Sequence, residues 1–126
     1  MIFTIYGELY SSKNSRQIFL NKTTGRRYVV KSKVAQLDEV ELCNKLKNIK
    51  TAFTTVLKYK FKPYNIKFKI YRQTHRRFDY INIIQNLCDC MVKVGLLDDD
   101  NANELLPIFE PYQVDPIKPR VEIEVL

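Results

Sequence analysis

Residues Arg76–Asp100 read RRFDYINIIQNLCDCMVKVGLLDDD, and their periodicity decides the fold. At 100° per residue, Asp79, Asn82, Asn86, Asp89 and Lys93 fall within an arc of about 80°. Tyr80, Ile84, Leu87, Met91 and Val94 recur at steps of four and three, the spacing of a stripe that a helix buries. Gly95 can take the left-handed conformation that ends a helix. Leu96, Leu97 and the acids Asp98, Asp99 and Asp100 can then turn back toward the polar stripe, which would gather separated acids around one cation. Spacing alone leaves a second account open, because polar helix faces meet water and aspartate runs are ordinary in loops. Distance also limits the metal reading: at about 1.5 Å per residue, Asp79 and Asp89 stand roughly 15 Å apart along the axis and cannot share an ion. Asp79 and Asn82 are one turn apart, and a loop carboxylate can complete an oxygen-rich Mg²⁺ or Mn²⁺ site with water and phosphate.

Upstream, Ile2–Tyr6 has strand composition and Gly7 ends it. A loop of small donors and cations follows, Ser11, Ser12, Lys13, Asn14, Ser15 and Arg16, suited to phosphate oxygens and equally ordinary in a polar turn. Strand-like runs at Gln17–Asn21 and Arg27–Lys31 flank Lys22-Thr23-Thr24-Gly25 and predict a hairpin bearing Lys22, Arg26, Arg27 and Lys31. Ser32 can cap a helix carrying Val34, Leu37, Val40 or Glu41, and Leu42 to Leu46, with helical residues through Leu57. Lys58–Pro63 alternates lysine with aromatic residues. Ile66–Arg72 then reads as a strand with one apolar face and with Lys67 and Lys69 on the other. Downstream, Leu105–Tyr112 offers a strand interrupted by Pro107 and Pro111, and Val121–Val125 alternates apolar residues with Glu122 and Glu124.

The whole is a chain of 126 residues, 45% hydrophobic and 28% charged, which suits one domain with one core. No internal repeat or Gly/Ser-rich linker divides it. The expected fold class is α+β: a single domain over 1–126 with a mixed sheet packed by two main helices. Lysine and arginine break every apolar run before membrane-spanning length, and the first residues carry no signal pattern, so a cytoplasmic protein without a membrane partner is expected. Cys43, Cys88 and Cys90 are expected as buried reduced thiols. His75 is the one histidine, leaving zinc sites and histidine-based nucleophiles little to build on. Residues 1–77 hold 18 Lys/Arg and 4 Asp/Glu, net +14, whereas residues 78–126 hold 3 and 10, net −7. DNA or RNA suits such a basic portion; mutual attraction of the two portions within the fold explains the asymmetry as well.

In combination, these residues resemble the RusA family of Holliday-junction resolvases of bacteria and their phages. The family pattern places basic residues before D-x-D-N-x-x-K at the start of a helix, then a helical Asp, a Gly and a double Asp. The matching residues are Arg76, Arg77, Asp79, Asn82, Asp89, Gly95, Asp99 and Asp100, and the loop with Asn14 resembles the family's N-terminal Asn-containing loop. The second motif acid is replaced by Ile81 and the motif lysine by Gln85. The resemblance implies a homodimeric, Mg²⁺-dependent crossover junction endodeoxyribonuclease of recombination and repair, with Mn²⁺ as a possible substitute. Its partner would be branched DNA, the four-way junction above all, inside a bacterial cell. It implies Asp79 and Asp100 as metal ligands, with Asn82 and Asp99 (or Asp98) completing the catalytic set and Asp89 supporting. Lys13, Asn14, Arg16, Arg26, Arg27, Arg76 and Arg77 would contact DNA. A branched-DNA binder without cleavage, and an unrelated basic structural or interaction protein with a solvated acidic loop, remain as alternatives.

Overall fold

In chain order the elements are β1 (Ile2–Tyr6), β2 (Arg16–Leu20), β3 (Arg27–Lys31), α1 (Lys33–Leu57), β4 (Tyr64–Arg72), α2 (Tyr80–Lys93), β5 (Leu105–Phe109), β6 (Gln113–Val114) and β7 (Arg120–Val125). The computed structural model describes residues 1–9, 16–31 and 33–126, with backbone alone for 16–19 and 28–31. The expected roles of Lys13 and Asn14, the side chain of Arg16 and the Ser32 cap lie outside the described residues.

The expected α+β class is what forms: a mixed sheet in the order β1-β7-β4-β5, with β6 also on β4, and a separate hairpin of β2 and β3. β4 runs antiparallel to β7 and parallel to β5. The period-two pattern of each strand builds the core in rows. Phe3 lies opposite Ile123 and Ile123 opposite Phe68, while Ile5, Val121 and Ile70 form the next row. All six are buried, and Leu46 and Phe53 of α1 and Ile83, Leu87 and Met91 of α2 join them in one hydrophobic cluster. Phe3 and Phe53 meet edge to face, centroids 5.2 Å apart, at the contact between sheet and α1.

The inward face of α1 differs from the sequence expectation. Val34, Leu37 and Val40 are exposed, whereas Ala35, Cys43, Leu46, Phe53 and Leu57 are buried. The spacing of Cys43, Leu46, Phe53 and Leu57 decides the buried face; at 100° per residue Val34 and Leu37 fall on the far side and Val40 on the flank. Several boundaries also move. Asn21 leaves the hairpin strand because its Oδ1 accepts hydrogen bonds from the amides of Thr23 at 3.0 Å and Thr24 at 3.3 Å, an Asx turn. β4 begins at Tyr64, two residues before the expected Ile66. β5 tolerates Pro107 because it is an edge strand, and it ends at Phe109. All three cysteines are buried and none forms a disulfide, as expected. Among the described residues no helix is long and apolar enough to cross a membrane.

Candidate active site and nucleic-acid surface

α2 starts where β4, β5 and β6 end, and aromatic packing fixes it there. The Tyr80 hydroxyl lies 2.7 Å from the Glu110 carbonyl oxygen and 3.1 Å from that of Phe68, which ties the first helical residue to both strands. Burial, with Glu110 nearby, pushes the Tyr80 phenol up to about 12. Phe78 packs against Tyr112 at 4.8 Å and beneath the Arg72 guanidinium, 4.4 Å from the ring centroid. Asp79 is the N-cap, its Oδ1 accepting from the Asn82 amide at 3.2 Å. Arg76 and Arg77 are exposed just before it. An open depression of about 570 Å³ is lined by Arg77, Phe78, Asp79, Tyr80 and Ile81.

The predicted buried stripe holds for Ile84, Leu87, Met91 and Val94, and Ile83, Cys88 and Cys90 widen it. That widening rotates the exposed face. Asn82 and Asn86 are half-buried, and the row facing solvent is Ile81, Gln85 and Asp89, successive i, i+4 positions. The two departures from the family pattern therefore share an exposed row with Asp89, and Ile81 is 66% exposed.

Gly95 turns the chain at φ +85°, with the Leu96 amide bonded to the Met91 carbonyl at 2.8 Å. Buried Leu96 and Leu97 pin the loop and leave Asp98, Asp99 and Asp100 at the surface. These three acids do different work. Asp98 pairs with Lys62 at 3.0 Å. Asp99 accepts from the Asp100 amide at 2.7 Å and from Asn101 Nδ2 at 3.0 Å, and these bonds, the Asp100 amide first, hold its carboxyl below the usual range. The Cys88 thiol is pushed up to about 12, first by burial, then by Asp100 and Asp89. Asp100 thus stands by the middle of α2, and Cys88 lies nine residues, about 13 Å along the axis, beyond Asp79. The fold-back occurs, but among the described residues no three His, Cys, Asp or Glu side chains gather where they could hold one metal ion. The donors present, carboxylate and amide oxygens, are of the kind that suits Mg²⁺ or Mn²⁺, which retain waters and use one or two carboxylates.

Part of the charge asymmetry is absorbed inside the molecule. Lys62 meets Glu104 at 2.7 Å as well as Asp98, and Lys67 lies between Glu124 at 3.3 Å and Glu110 at 3.6 Å. Lys67 is therefore part of a ladder on the outer sheet face, where the sequence left open a lysine free to meet DNA. Arg26 and Arg27 are exposed at the β2–β3 turn.

The sequence reading missed two features. Arg72 continues the inward phase of Ile66, Phe68 and Ile70 and is 9% exposed, with Nη1 3.2 Å from Glu8 Oε1 and 3.0 Å from the Leu9 carbonyl oxygen. The strand alternation itself carried that signal. The second is a cleft of about 220 Å³ where β1 ends against both helices, with Glu8, Asp38, Glu39, Glu41, Lys45 and Asn86 in its wall. Burial, then Glu41, raises the Asp38 carboxyl above its ordinary value. No single window of sequence contains those residues. No protein-family model matches the chain, and no curated protein matches it either.

Proposed function

We propose that this chain is a divalent-metal-dependent, structure-specific endonuclease that acts on branched DNA, the four-way junction above all, as a symmetric homodimer in recombination and repair. The observation that carries the reading is the start of α2: the carboxylate of Asp79 caps the helix, exposed Arg76 and Arg77 precede it, and Asn82 follows one turn later. Cations beside a carboxylate suit a scissile phosphate, since the arginines attract the strand and the acid offers oxygen to a hard cation. Mg²⁺ held by Asp79, with Asn82 one turn on and waters completing its shell, would activate water and stabilise charge on the leaving oxygen. Asp100, and Asp99 beside it in the loop, were expected to share that ion but stand by the middle of α2, about 13 Å along the axis from Asp79, so within one protomer they do not complete the same site. The chain's own residues do the rest. Tyr80 and Phe78 fix Asp79 against the strand ends, and Arg76, Arg77, Arg26 and Arg27 hold backbone phosphates. A two-fold dimer matches a two-fold junction by giving one site to each cut strand.

A binder that has lost cleavage is the second reading, favoured by exposed Ile81 in place of an acid. The separating experiment is Mg²⁺-dependent cleavage of a synthetic four-way junction beside a linear duplex of the same sequence. Paired nicks at symmetric positions support the nuclease. Junction-selective binding without nicking in Mg²⁺ or Mn²⁺ supports the binder, and equal affinity for both DNAs rejects both readings. A protein that sediments as a monomer free and on the junction rejects the dimer.

A further inference from the structure

The segment joining α1 to β4, Lys58-Tyr59-Lys60-Phe61-Lys62-Pro63, presents two aromatic rings almost wholly to solvent: Tyr59 is 83% and Phe61 93% exposed. Neither ring stacks on another among the described residues. The backbone beneath them is held, with the Tyr59 amide bonded to the Val56 carbonyl at 3.1 Å and the Lys60 amide to that of Leu57 at 3.0 Å. At the far end, Lys62 is clamped by Asp98 and Glu104, and the Tyr64 amide bonds to the Glu104 carbonyl at 2.8 Å. The rings therefore stand on a fixed loop next to the aspartate loop, and Lys58 and Lys60 beside them make no ion pair among the described residues.

We infer that Tyr59 and Phe61 form a stacking platform for unpaired nucleobases, with Lys58 and Lys60 holding the phosphates of the same single strand. Every base has a face that can lie on an aromatic ring, and an alternation of rings with unpaired cations offers both halves of a nucleotide a partner. Lysines around exposed aromatic side chains also suit an anionic membrane surface. The neighbouring acids decide between the two. A flat bilayer laid on Phe61 would be brought toward exposed Asp98, Asp99 and Asp100, whereas a strand is narrow enough to reach the rings alone. Its placement at a DNA crossover, where bases lose their partners, rests on the function proposed above; the stacking chemistry does not.

The test uses the full chain with oligo-dT, a linear duplex, a four-way junction and phosphatidylserine vesicles. Tyr59→Ala with Phe61→Ala is expected to weaken oligo-dT binding about tenfold or more and to change duplex binding by less than about twofold. Lys58→Gln with Lys60→Gln should lower the log-log salt slope for oligo-dT by about 0.7 for each phosphate that is no longer neutralised. The chain has no tryptophan, so Phe61→Trp provides a single indole that keeps the ring, and oligo-dT should quench it. Unchanged oligo-dT affinity in the double alanine variant, or an equal loss on duplex, overturns the platform. So does an indole that ignores oligo-dT and shifts blue on the vesicles, which assigns the loop to a membrane. Ring-dependent oligo-dT binding without preference for the junction sinks the branched-DNA function and leaves the platform standing. Junction-selective binding indifferent to both rings does the reverse.

Discussion

Asp79 accepts the amide hydrogen of Asn82 at 3.2 Å, so the acid best placed to meet a metal is also the residue that caps α2. Those two duties separate by substitution. Asparagine caps about as well as aspartate, while alanine costs about 0.5–2 kcal/mol. Asp79→Asn should therefore unfold at nearly the wild-type denaturant midpoint and lose junction cleavage, and Asp79→Ala should lose both. Wild-type cleavage by Asp79→Asn would confine this residue to its cap.

Arg76 and Arg77 are exposed, whereas Lys67 is held between Glu124 and Glu110. Replacing both arginines with glutamine should weaken binding to all DNA and reduce the salt slope by about 0.9 for each duplex phosphate the arginines had neutralised. Lys67→Gln should leave the slope unchanged. A fluorescence anisotropy titration over a range of salt checks both expectations, and the reverse ranking would move the DNA surface to the outer sheet face.

Ile81 and Gln85 lie on the exposed row of α2, so Ile81→Asp with Gln85→Lys needs no repacking. The pair forms an i, i+4 acid-to-base step, which supports a helix by about 0.2–0.5 kcal/mol. The double variant should fold normally and cut a four-way junction faster in Mg²⁺ than the native chain. Normal folding with no gain in rate would detach these positions from catalysis.

Cys88 and Tyr80 give the fold a defined response to alkali. Both groups are raised to about 12 by burial first, from ordinary values of 9.0 for the thiol and 10.0 for the phenol. Raised acids keep the proton in the folded state while the unfolded chain releases it, so stability is full below the ordinary value and falls as pH rises toward the folded one. The Cys88 contribution should decline from about pH 9 to about 12 and that of Tyr80 from about pH 10 to about 12. Urea midpoints across this range should fall less steeply in Cys88→Ala from the lower pH, and in Tyr80→Phe from the higher. A parallel decline in all three proteins would refute the assignment.

Local periodicity carried what depends on one element. The buried stripe of α2, the turn at Gly95 and the alternation of β4 were legible because each is a phase relation among neighbouring residues. The acid loop was legible as a cluster, yet its division of labour was not, since Lys62, which takes Asp98, lies 36 positions earlier in the chain. Nor could spacing show that Val34, Leu37 and Val40 face outward, because a helix with two apolar arcs is resolved only by what packs on it. Arg72 was readable as an inward position; its acceptance there depends on Glu8 and the Leu9 carbonyl oxygen, which only the fold brings to it.

The pairing of β1 with β7 sets Ile2 opposite Glu124, and that bears on the order in which the molecule can assemble. β1 finds its sheet neighbour only when the final strand has been synthesised, and β4 likewise waits for β5, β6 and β7. During translation, the apolar faces of β1, α1 and β4 must persist without the strands that complete their sheet. Long-range pairing of this kind slows folding through the cost of closing large loops. A nascent chain halted before residue 120 should accordingly remain protease-sensitive, and resistance should appear once residues 120–125 have cleared the ribosome.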